Sequence, residues 1–578
     1  MTKTWIQTIM ISLLLGAATV NAKDFYAKDF GAKGDGKTYD GPGITAAFNA
    51  AKKQGGKTKV TFEKKTYLLG DNPKAWHYFV MNDFRDLTIE GNGATLVCSD
   101  SNLAFHFNGG KNITVRGLTL DVTAPRVTQG EIVAIDKRGT LDVRVMEGYP
   151  EPPVEAFMKA NNHNAWGGGG RHMIIFEKGG KARKTKMRDD HLKLSNIKKI
   201  SKGIFRFFVK KDYMKTFPGV AVGNWITYGH NMVNLPRSVV DTKFKSASIY
   251  AQIAADRVDN ITFENINIYG SLNGGIRVSD MPGDVTLRKV NIVRKPGTRN
   301  LLSTCSDALH LMNVHGRMVI ENCKVEAPGD DCVNLGAQRE NVVAVDATDR
   351  RIVTLRSTDN RFYYYTIQKG DRLQFIDNAG RKVLGVRRVV AVKFNPKNLR
   401  NLVTLDKAVS GIVSGKTQVM HLDQNTQSTV IRNNAIIPYM RNGLLTRAQN
   451  MSIEDNIIDC SHGGVLGLNL SFAGGQDDAR LRNVRVTRNT FNCPSNSSIV
   501  AWHPLQVEDG SSDTRNIAFI DNLFDTRKEK GIRINGVDEL RWKGNRLKKG
   551  NNGLDLNSRY ISISNTKIIE SGNSKGER

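Results

Sequence analysis

Ile453-Glu-Asp-Asn456-Ile-Ile458 is the first of four late segments in which an asparagine lies between two apolar positions at a fixed spacing. The other three are Val486-Thr-Arg-Asn489-Thr-Phe491, Phe519-Ile-Asp-Asn522-Leu-Phe524 and Trp542-Lys-Gly-Asn545-Arg-Leu547. Short strands that recur at a fixed register are typical of a solenoid, whose coils stack in parallel about 4.8 Å apart. The repeated asparagine is therefore predicted to bond along the stack as a structural ladder.

Further copies of the pattern extend the predicted solenoid towards the N-terminus and the end of the chain. They begin at Ile89, Val115, Phe263, Leu287, Ile320, Ile431 and Ile563. From Ile431 to Ile563 the successive starts are 22, 33, 33, 23 and 21 residues apart, which is the length of one coil. Because the chain also has 54 glycines and few long amphipathic helical patterns, we predict an all-β fold, a right-handed parallel β-helix.

Two intervals between copies are too long for one coil: 148 residues separate Val115 from Phe263, and 111 separate Ile320 from Ile431. Both contain short alternating segments that indicate antiparallel strands: Glu131–Asp136, Leu141–Val145, Val342–Val345, Arg351–Leu355 and Asp371–Phe375. We predict two small β-barrels inserted in the β-helix, over 125–240 and 339–422. The first is expected to carry Asn164-Ala-Trp166 and the Gly167–Gly170 run as a flexible loop.

The N-terminal residues have the pattern of an export signal. A charged start at Lys3, an apolar stretch from Trp5 to Val20 and the small-x-Ala end at Ala22 predict a signal peptide over 1–22. The segment is too short and broken for a membrane span, and no later run could span a bilayer. We therefore expect a periplasmic or secreted protein whose mature chain begins near Lys23.

The remaining coils divide into three regions. Residues 23–124 are predicted to hold a cap and the first coils, because Asp29–Gly36 is turn-rich and Gly43–Ala51 has good helix formers that could cover the open end of a solenoid. Residues 241–338 are predicted to form the coils that carry the catalytic site. Residues 423–578 are predicted to form the C-terminal coils and a tail.

Charge and cysteines restrict the partners. The 84 Lys+Arg against 56 Asp+Glu give a net charge of +28, which attracts polyanions at long range or only affects solubility. Export argues against nucleic acid, so an anionic polysaccharide or cell surface is the favoured partner. The six cysteines form no CxxC pair and have no histidine at zinc spacing, so we predict no metal and no cofactor, and the sequence assigns no disulfide.

A second register carries the candidate chemistry. It aligns Gly274-Gly-Ile-Arg277, Asp307-Ala-Leu-His310, Asp331-Cys-Val-Asn334, Asn442-Gly-Leu-Leu445 and Gly463-Gly-Val-Leu466. Asp307 and Asp331 are 24 residues apart, so they should lie on adjacent coils with Asp330 beside them. Crowded carboxylates raise the pKa of at least one member, and glycoside hydrolysis needs one protonated and one ionised carboxyl. Strict alternation from Leu309 and Val333 would point both aspartates inward, so each must sit at a bend.

Six further residues are predicted to bind substrate hydroxyls or a sulfate group, although each also fits an ordinary polar face of a solenoid. Arg277, His310 and Asn334 form the next outward column. The others follow on later coils: Arg441, Arg447 and His462. The aspartates themselves could instead cap turns or bind an ion.

Three motifs give the chain a family resemblance: Ser303-Thr-Cys-Ser-Asp307-Ala-Leu-His310, Gly316-Arg-Met-Val-Ile-Glu-Asn-Cys323 and Gly329-Asp-Asp-Cys-Val-Asn334-Leu-Gly336. Over most of its length the chain resembles the α-1,3-galactosidases of glycoside hydrolase family 110. The resemblance implies a β-helix with two inserted barrels, attack at the non-reducing end and inversion of configuration. Likeness to polygalacturonases implies Asp330 as general acid, with Asp307 and Asp331 holding the attacking water.

The sequence leaves three functions open. The first is an exo-acting, inverting α-1,3-galactosidase without a cofactor, acting on galactan or on sulfated galactan of the carrageenan type. The second is a polygalacturonase-like hydrolase, or a polysaccharide lyase with a Lys or Arg base and Ca²⁺, acting on uronate polymers. The third is a carbohydrate-binding solenoid without activity.

Overall fold

The computed structural model describes residues 22–572, with interruptions at 73–74, 76, 100–101, 126, 137–138, 153–171, 183–191, 211–218, 230–250, 272, 338, 358–366, 378–381, 396–397, 399, 425, 471–480 and 503–512. The predicted signal peptide, apart from Ala22, and the predicted loop at 164–170 lie outside the described residues. Within the described residues, no helix is long and apolar enough to cross a membrane.

A single α-helix caps the N-terminal end of the described part. It spans Gly41–Gln54 and buries Ile44, Ala47, Phe48 and Ala51 against the first coils, so the predicted capping helix is confirmed. The strands of this region are β1 (Lys23–Tyr26), β2 (Asp35–Tyr39), β3 (Thr58–Thr61), β4 (Thr66–Leu68), β5 (His77–Asn82), β6 (Arg85–Cys98), β7 (Leu103–Asn108) and β8 (Lys111–Val122). Short 3-10 turns lie at Ala27–Phe30, Lys178–Gly180 and Lys549–Asn551.

The first interruption of the β-helix is a closed antiparallel barrel of six strands. Its strands are β9 (Val127–Asp136), β10 (Thr140–Val145), β11 (His172–Phe176), β12 (Leu192–Ser201), β13 (Ile204–Val209) and β14 (Trp225–Gly229). The coils then resume with β15 (Ala251–Asp256), β16 (Asp259–Ile268), β17 (Gly274–Met281), β18 (Val285–Ile292), β19 (Leu309–Val314), β20 (Arg317–Glu321), β21 (Lys324–Glu326) and β22 (Val333–Gly336).

The second interruption is another closed barrel of six antiparallel strands. Its strands are β23 (Arg339–Val345), β24 (Ile352–Ser357), β25 (Arg372–Asp377), β26 (Lys382–Asn395), β27 (Arg400–Leu405) and β28 (Thr417–His421). In both barrels a compact apolar cluster fills the interior, separate from the core of the β-helix. The predicted fold, a parallel β-helix with two inserted barrels, is confirmed.

The C-terminal coils continue the same stack. Their strands are β29 (Ser428–Arg432), β30 (Ala435–Ile437), β31 (Asn442–Thr446), β32 (Met451–Glu454), β33 (Ile457–Asp459), β34 (Leu466–Asn469), β35 (Arg482–Thr487), β36 (Thr490–Asn492), β37 (Ser497–Trp502), β38 (Arg515–Ile520), β39 (Leu523–Asp525), β40 (Ile532–Asn535), β41 (Asp538–Lys543), β42 (Arg546–Leu547), β43 (Ile561–Ser564) and β44 (Ile568–Gly572).

Parallel pairing joins the coils across both barrels. Val115 in β8 pairs with Phe263 in β16, and Ile320 in β20 pairs with Ile431 in β29, so each barrel interrupts a continuous ladder. Within the residues that the structure describes, one sheet has 21 strands, and the other has eleven in the order β5, β7, β15, β17, β19, β22, β31, β34, β37, β40 and β43. We call the eleven-stranded sheet the site sheet, because the candidate catalytic residues lie along it.

The last predicted copy of the pattern is wrong. Ile563 pairs with Ile534 on the site sheet, whereas the residue that continues the column of Trp542 is Ser571 in β44. The terminal coil does not repeat the apolar pattern, because β44 is exposed throughout and has no inward position that needs an apolar residue. The apolar pattern alone therefore selected the wrong strand.

The predicted asparagine ladder is confirmed, and it is one coil longer than the sequence indicated. Asn434, Asn456, Asn489, Asn522 and Asn545 are buried in register, and the side-chain oxygen of each later member accepts bonds from the backbone N–H and the amide of the one before it. Their amides also donate to backbone carbonyls of neighbouring coils at 2.8–3.0 Å. The ladder thus satisfies polar groups that the turns would leave buried.

A buried carboxyl at the base of the second barrel predicts a pH-dependent stability. Burial, its main cause, raises the pKa of Glu340 to about 8, so the folded chain holds a proton that the unfolded chain loses near pH 4–5. Between those two pKa values the folded state binds more protons than the unfolded state. The contribution of Glu340 to stability therefore falls as pH rises. We expect Glu340→Gln to gain unfolding free energy relative to the wild type from pH 5 to pH 9 in denaturant titrations.

Glu529→Gln is the control, because it makes the same substitution at an exposed carboxyl. A constant difference between Glu340→Gln and the wild type over the same range would show that Glu340 is already ionised in the folded protein.

Candidate active site

Asp307 and Asp331 lie two residues before strands of the site sheet. β19 begins at Leu309 and β22 at Val333, and both of these residues point into the core. The carboxylate of Asp307 nevertheless contacts His310, which faces outward in β19. A departure from the strand conformation before Leu309 therefore turns Asp307 outward. Asp307 thus sits at a bend, as the sequence required for a residue of the site.

The three aspartates converge. One carboxylate oxygen from each of Asp307, Asp330 and Asp331 lies within 4.8 Å of the other two. Asp307 and Asp331 are buried, and Asp330 has a side chain 28% exposed, so it is the most accessible of the three. The predicted catalytic residues thus form one patch on two adjacent coils.

Asp307 is held in its ionised form. Burial acts to raise the pKa of this carboxyl, but the bond to His310 Nδ1 at 2.5 Å, the charge of His310, the backbone N–H of Asp331 and the charge of Arg277 outweigh burial. The net result is a pKa below the usual value. Asp307 is therefore the carboxylate of the patch most suited to accept a proton.

Asp331 has the opposite character. Burial, followed by the negative charge of Asp307, raises the pKa of Asp331 to about 7, although Asn442 and Arg441 act against this rise. The backbone N–H and the side-chain amide of Asn442 both donate to Asp331 Oδ1, at 2.9 and 2.7 Å. The patch therefore combines an ionised carboxylate with a carboxyl that keeps its proton up to neutral pH.

Asp330 lies beside a cation. Arg441 Nη1 is 3.3 Å from Asp330 Oδ1, and both side chains are partly exposed. Arg441, predicted as a substrate-binding residue, is thus brought directly to the acidic patch.

The outward column Arg277, His310 and Asn334 is formed as predicted. Arg277 pairs with His310 and His310 with Asn334 on adjacent strands of the site sheet. Arg277 Nη2 lies 3.4 Å from His310 Nε2, and the Asn334 amide donates to Asp307 at 3.4 Å. These residues border the patch and could contact a bound sugar.

Arg447 and His462 lie on the coils that follow the carboxylates. Arg447 follows the carboxyl end of β31, five residues beyond Asn442, which corresponds to roughly 16 Å along a strand. The ring of His462 stacks on Tyr439 with centroids 5.1 Å apart. The predicted alignment of Gly463 with Asn442 is wrong, because Leu466 pairs with Asn442 and the turn before β34 is longer than the earlier turns. The substrate-binding roles of both residues stay predictions.

Asn442 is a site residue that the sequence reasoning did not select. It occupies the same register position as Asp307 and Asp331 on the next coil, so the alignment of coils contained the signal. Asn442 carries no charge, so it cannot neutralise the carboxylates, but its backbone N–H and side-chain amide can orient one of them through two hydrogen bonds. Asn442 fixes Asp331 in this way.

The three carboxylates could also bind a divalent cation, since oxygen ligands suit Ca²⁺ and Mg²⁺. The surrounding groups do not favour this role. Arg441 contacts Asp330, and Asn442 directs two N–H donors at Asp331, so cationic and donor groups already face these carboxyls. The arrangement is better suited to proton transfer than to a metal.

The barrel that precedes β15 packs beside the patch. Its residues Ile174 and Phe176 form an apolar cluster with Leu301, which lies before β19, and with Tyr439 and Met440, which lie before β31. The first barrel is thus packed against turns that lead into β19 and β31.

Comparison with known proteins agrees with this geometry. The chain is 23% identical over 474 residues to an α-1,3-galactosidase A of Bacteroides fragilis, which covers 77% of this chain and 71% of that protein. It is 23% identical over 512 residues to an α-1,3-galactosidase B of Bacteroides thetaiotaomicron, covering 84% and 77%. The chain is similar to the α-1,3-galactosidases over most of its length. The predicted resemblance to them is confirmed.

Two other comparisons add no further assignment. No protein-family model matches the chain. Among solved structures, an exopolygalacturonase from Thermotoga maritima aligns with 12% identity and a TM-score of 0.42, over 95% of this chain and 91% of that one.

Proposed function

We propose that this protein is an exo-acting, inverting glycoside hydrolase that releases terminal α-1,3-linked galactose from a galactan. The observation that supports this most directly is the pairing of an ionised Asp307 with a protonated Asp331 in one patch. Hydrolysis of a glycosidic bond needs a proton for the leaving oxygen and a base for the attacking water. The similarity to α-1,3-galactosidases supports the choice of sugar and linkage.

In the proposed reaction, water attacks the anomeric carbon while the bond to the leaving oxygen breaks. Asp331 gives its proton to the leaving oxygen, and Asp307 takes a proton from the water. Likeness to polygalacturonases implies that Asp330 is the acid, but burial and the charge of Asp307 raise the pKa of Asp331 to about 7. We therefore assign the proton to Asp331, and we place Asp330, the most exposed carboxylate, in contact with the substrate.

Two arguments bear on whether the anomeric configuration is inverted or retained, and they predict opposite results. The family resemblance implies inversion. The oxygens of the patch lie within 4.8 Å, which is closer than the roughly 6.5–9.5 Å between carboxyl groups that leaves room for water in inverting enzymes. We propose inversion on the family resemblance, and the anomer of the first galactose released decides between the two arguments.

The net charge supports a sulfated substrate in the proposal. A charge of +28 raises the local concentration of a polyanion such as a carrageenan-like galactan. The predicted signal peptide supports export, where such polymers are found. Arg277 and Arg441 at the rim of the patch are the cations placed to meet a sulfate group.

Product analysis tests the proposed function. We expect the mature protein to release galactose from galactose-α-1,3-galactose and from α-1,3-terminated galactans, detected by chromatography, and to keep its rate in the presence of a chelator. Uronate polymers are the comparison substrates. An unsaturated product from them, lost on chelation, would instead establish a lyase, and release of galacturonate would establish a polygalacturonase-like enzyme. Binding without any product would indicate a carbohydrate-binding solenoid.

A further inference from the structure

The positive charge of the chain is concentrated in the two barrels. Residues 125–240 contain 21 Lys+Arg and 10 Asp+Glu, and residues 339–422 contain 16 and 7, so the barrels carry +20 of the net charge of +28. The coils that hold the carboxylates, over 241–338, contain 11 of each and have no net charge. The charge therefore belongs to the inserted barrels and not to the catalytic coils.

The second barrel contacts the coils through one half of its wall. β28 is buried along its whole length, and Gln374 in β25 donates to Asp513, just before β38, at 3.1 Å. Around the closed barrel, β24, β27 and β26 are consecutive strands on the other half. On their outer face Leu402 is 44% exposed, so this half of the wall is open to solvent.

Three cations lie together on that outer face. Arg356 in β24 is directly opposite Arg400 in β27, which places their Cβ atoms about 4.5–5.5 Å apart. Lys393 in β26 is opposite Leu402, two residues beyond Arg400, so Lys393 and Arg400 are diagonal neighbours at about 7–8 Å. All three side chains are exposed. We call Arg356, Lys393 and Arg400 the basic face.

The barrel supplies little negative charge around the basic face. Within the described residues, no ion pair joins Lys393 or Arg400 to an acidic group, whereas Arg351 of the same barrel is paired with Asp349. The positions beside the three cations on the outer face are neutral: Asn341, Thr354, Asn395 and Leu402. Like charges directly opposite each other destabilise a sheet, so an anion between Arg356 and Arg400 would remove a repulsion.

The first barrel differs in this respect. Its exposed Lys199 forms an ion pair with Glu151 at 2.8 Å, and Arg206 forms one with Asp142 at 2.7 Å. A cation that is already paired with a carboxylate binds a further anion less well, because the carboxylate repels it. Among the described strands of the two barrels, the basic face is therefore the better place for an anionic ligand.

We infer that the basic face binds a sulfated polysaccharide, at a site separate from the carboxylates. Guanidinium groups bind oxyanions through two parallel hydrogen bonds. Each exposed pair contributes little, so stable binding needs a polymer whose charges meet several cations at once. A chain held on the barrel is kept at a higher local concentration without any contact in the catalytic site. The choice of a polysaccharide rests on the proposed function, whereas the binding of a polyanion does not.

Binding to carrageenan, a sulfated galactan, tests the basic face. The mature protein with Arg356→Gln, Lys393→Gln and Arg400→Gln combined should have a dissociation constant for carrageenan at least about tenfold above that of the wild type, measured by biolayer interferometry in about 50 mM salt. The wild-type affinity should also fall more steeply than that of the variant as salt is raised. Chemically desulfated carrageenan is the comparison ligand, and we expect it to bind the wild type at least about tenfold more weakly.

A matched control removes three exposed cations from the C-terminal coils: Arg527→Gln, Arg546→Gln and Lys549→Gln combined. It lowers the net charge by the same amount, and its dissociation constant for carrageenan should stay within about twofold of the wild type. Equal losses in the two triple variants would overturn the inference, because they would show that only the net charge matters. Equal binding of the desulfated polymer would overturn it as well, and so would double-stranded DNA that binds more tightly than carrageenan.

Turnover of a neutral disaccharide separates this inference from the proposed function. Galactose-α-1,3-galactose carries no sulfate, so the basic-face variant should hydrolyse it with kcat and KM within about twofold of the wild type. A KM raised as much as the dissociation constant for carrageenan would place these cations in the catalytic site and overturn the separate site. If the wild type cleaved no galactoside while carrageenan binding was lost in the basic-face variant alone, the proposed function would fail and the basic face would stand.

Discussion

Replacement of Asp331 by asparagine is expected to lower kcat on α-1,3-galactosides by about 1,000-fold. Asparagine keeps the size of the side chain and can still bond to Asn442, but it holds no acidic proton for the leaving oxygen. The wild-type kcat/KM should fall as pH rises through about 7, where Asp331 loses its proton. It should also fall at acidic pH, where Asp307, whose pKa is lowered mainly by its bond to His310, takes up a proton. Initial rates across pH 3–9 provide the measurement.

A matched control for this variant is Asp284→Asn. Asp284 is a partly exposed aspartate paired with Arg317 just before β18, away from the patch, and its replacement should leave kcat within about twofold. If an active Asp331→Asn protein kept the fall in rate near pH 7, another group would be the proton donor, and Asp330 would be the next candidate.

The second large effect is expected in stability. Asn489→Ala should lower the free energy of unfolding by about 3–5 kcal/mol, measured by denaturant titration. The substitution removes the oxygen that accepts from the backbone and side chain of Asn456, and the amide that donates to the Ile453 carbonyl and to Asn522. All of these groups are buried, so water cannot replace the lost partner.

The exposed ladder of the same coils is the control. Asn483 donates to Asn450 and accepts from Asn516 at the surface, with φ of 54°, so Asn483→Gly removes the side chain without backbone strain. We expect a loss below about 1 kcal/mol. Equal losses in the two variants would mean that the buried ladder contributes no more than a surface contact.

The fold was predictable because its signal is repeated in the chain. The spacing of Asn456, Asn489, Asn522 and Asn545 records one coil after another, and the same inward columns recur on both sides of each barrel. The prediction failed at the last coil, where β44 is exposed and needs no apolar period. It also failed at Gly463, where the longer turn before Leu466 shifts the register without changing the composition.

The site was only partly predictable, for a different reason. The coil alignment brought Asp307 and Asp331 together, but alternation could not tell that the residues before Leu309 and Val333 leave the strand conformation. The division of protons between the two carboxyls depends on burial and on His310 and Asn442, which only the folded chain brings into contact. The hydrogen bond from Tyr149 to Asn300 likewise joins residues 151 positions apart and leaves no local pattern in the sequence.

The most direct test of the account is the proton NMR spectrum of the sugar first released from galactose-α-1,3-galactose by the wild-type protein, with Asp331→Asn in parallel. We predict that β-galactose appears before mutarotation from the wild type, and that the variant releases about a thousandth as much in the same time. Release of α-galactose first would establish a retaining reaction and contradict the proposed water attack. No galactose from the wild type, or an undiminished rate in Asp331→Asn, would contradict the catalytic role of the patch.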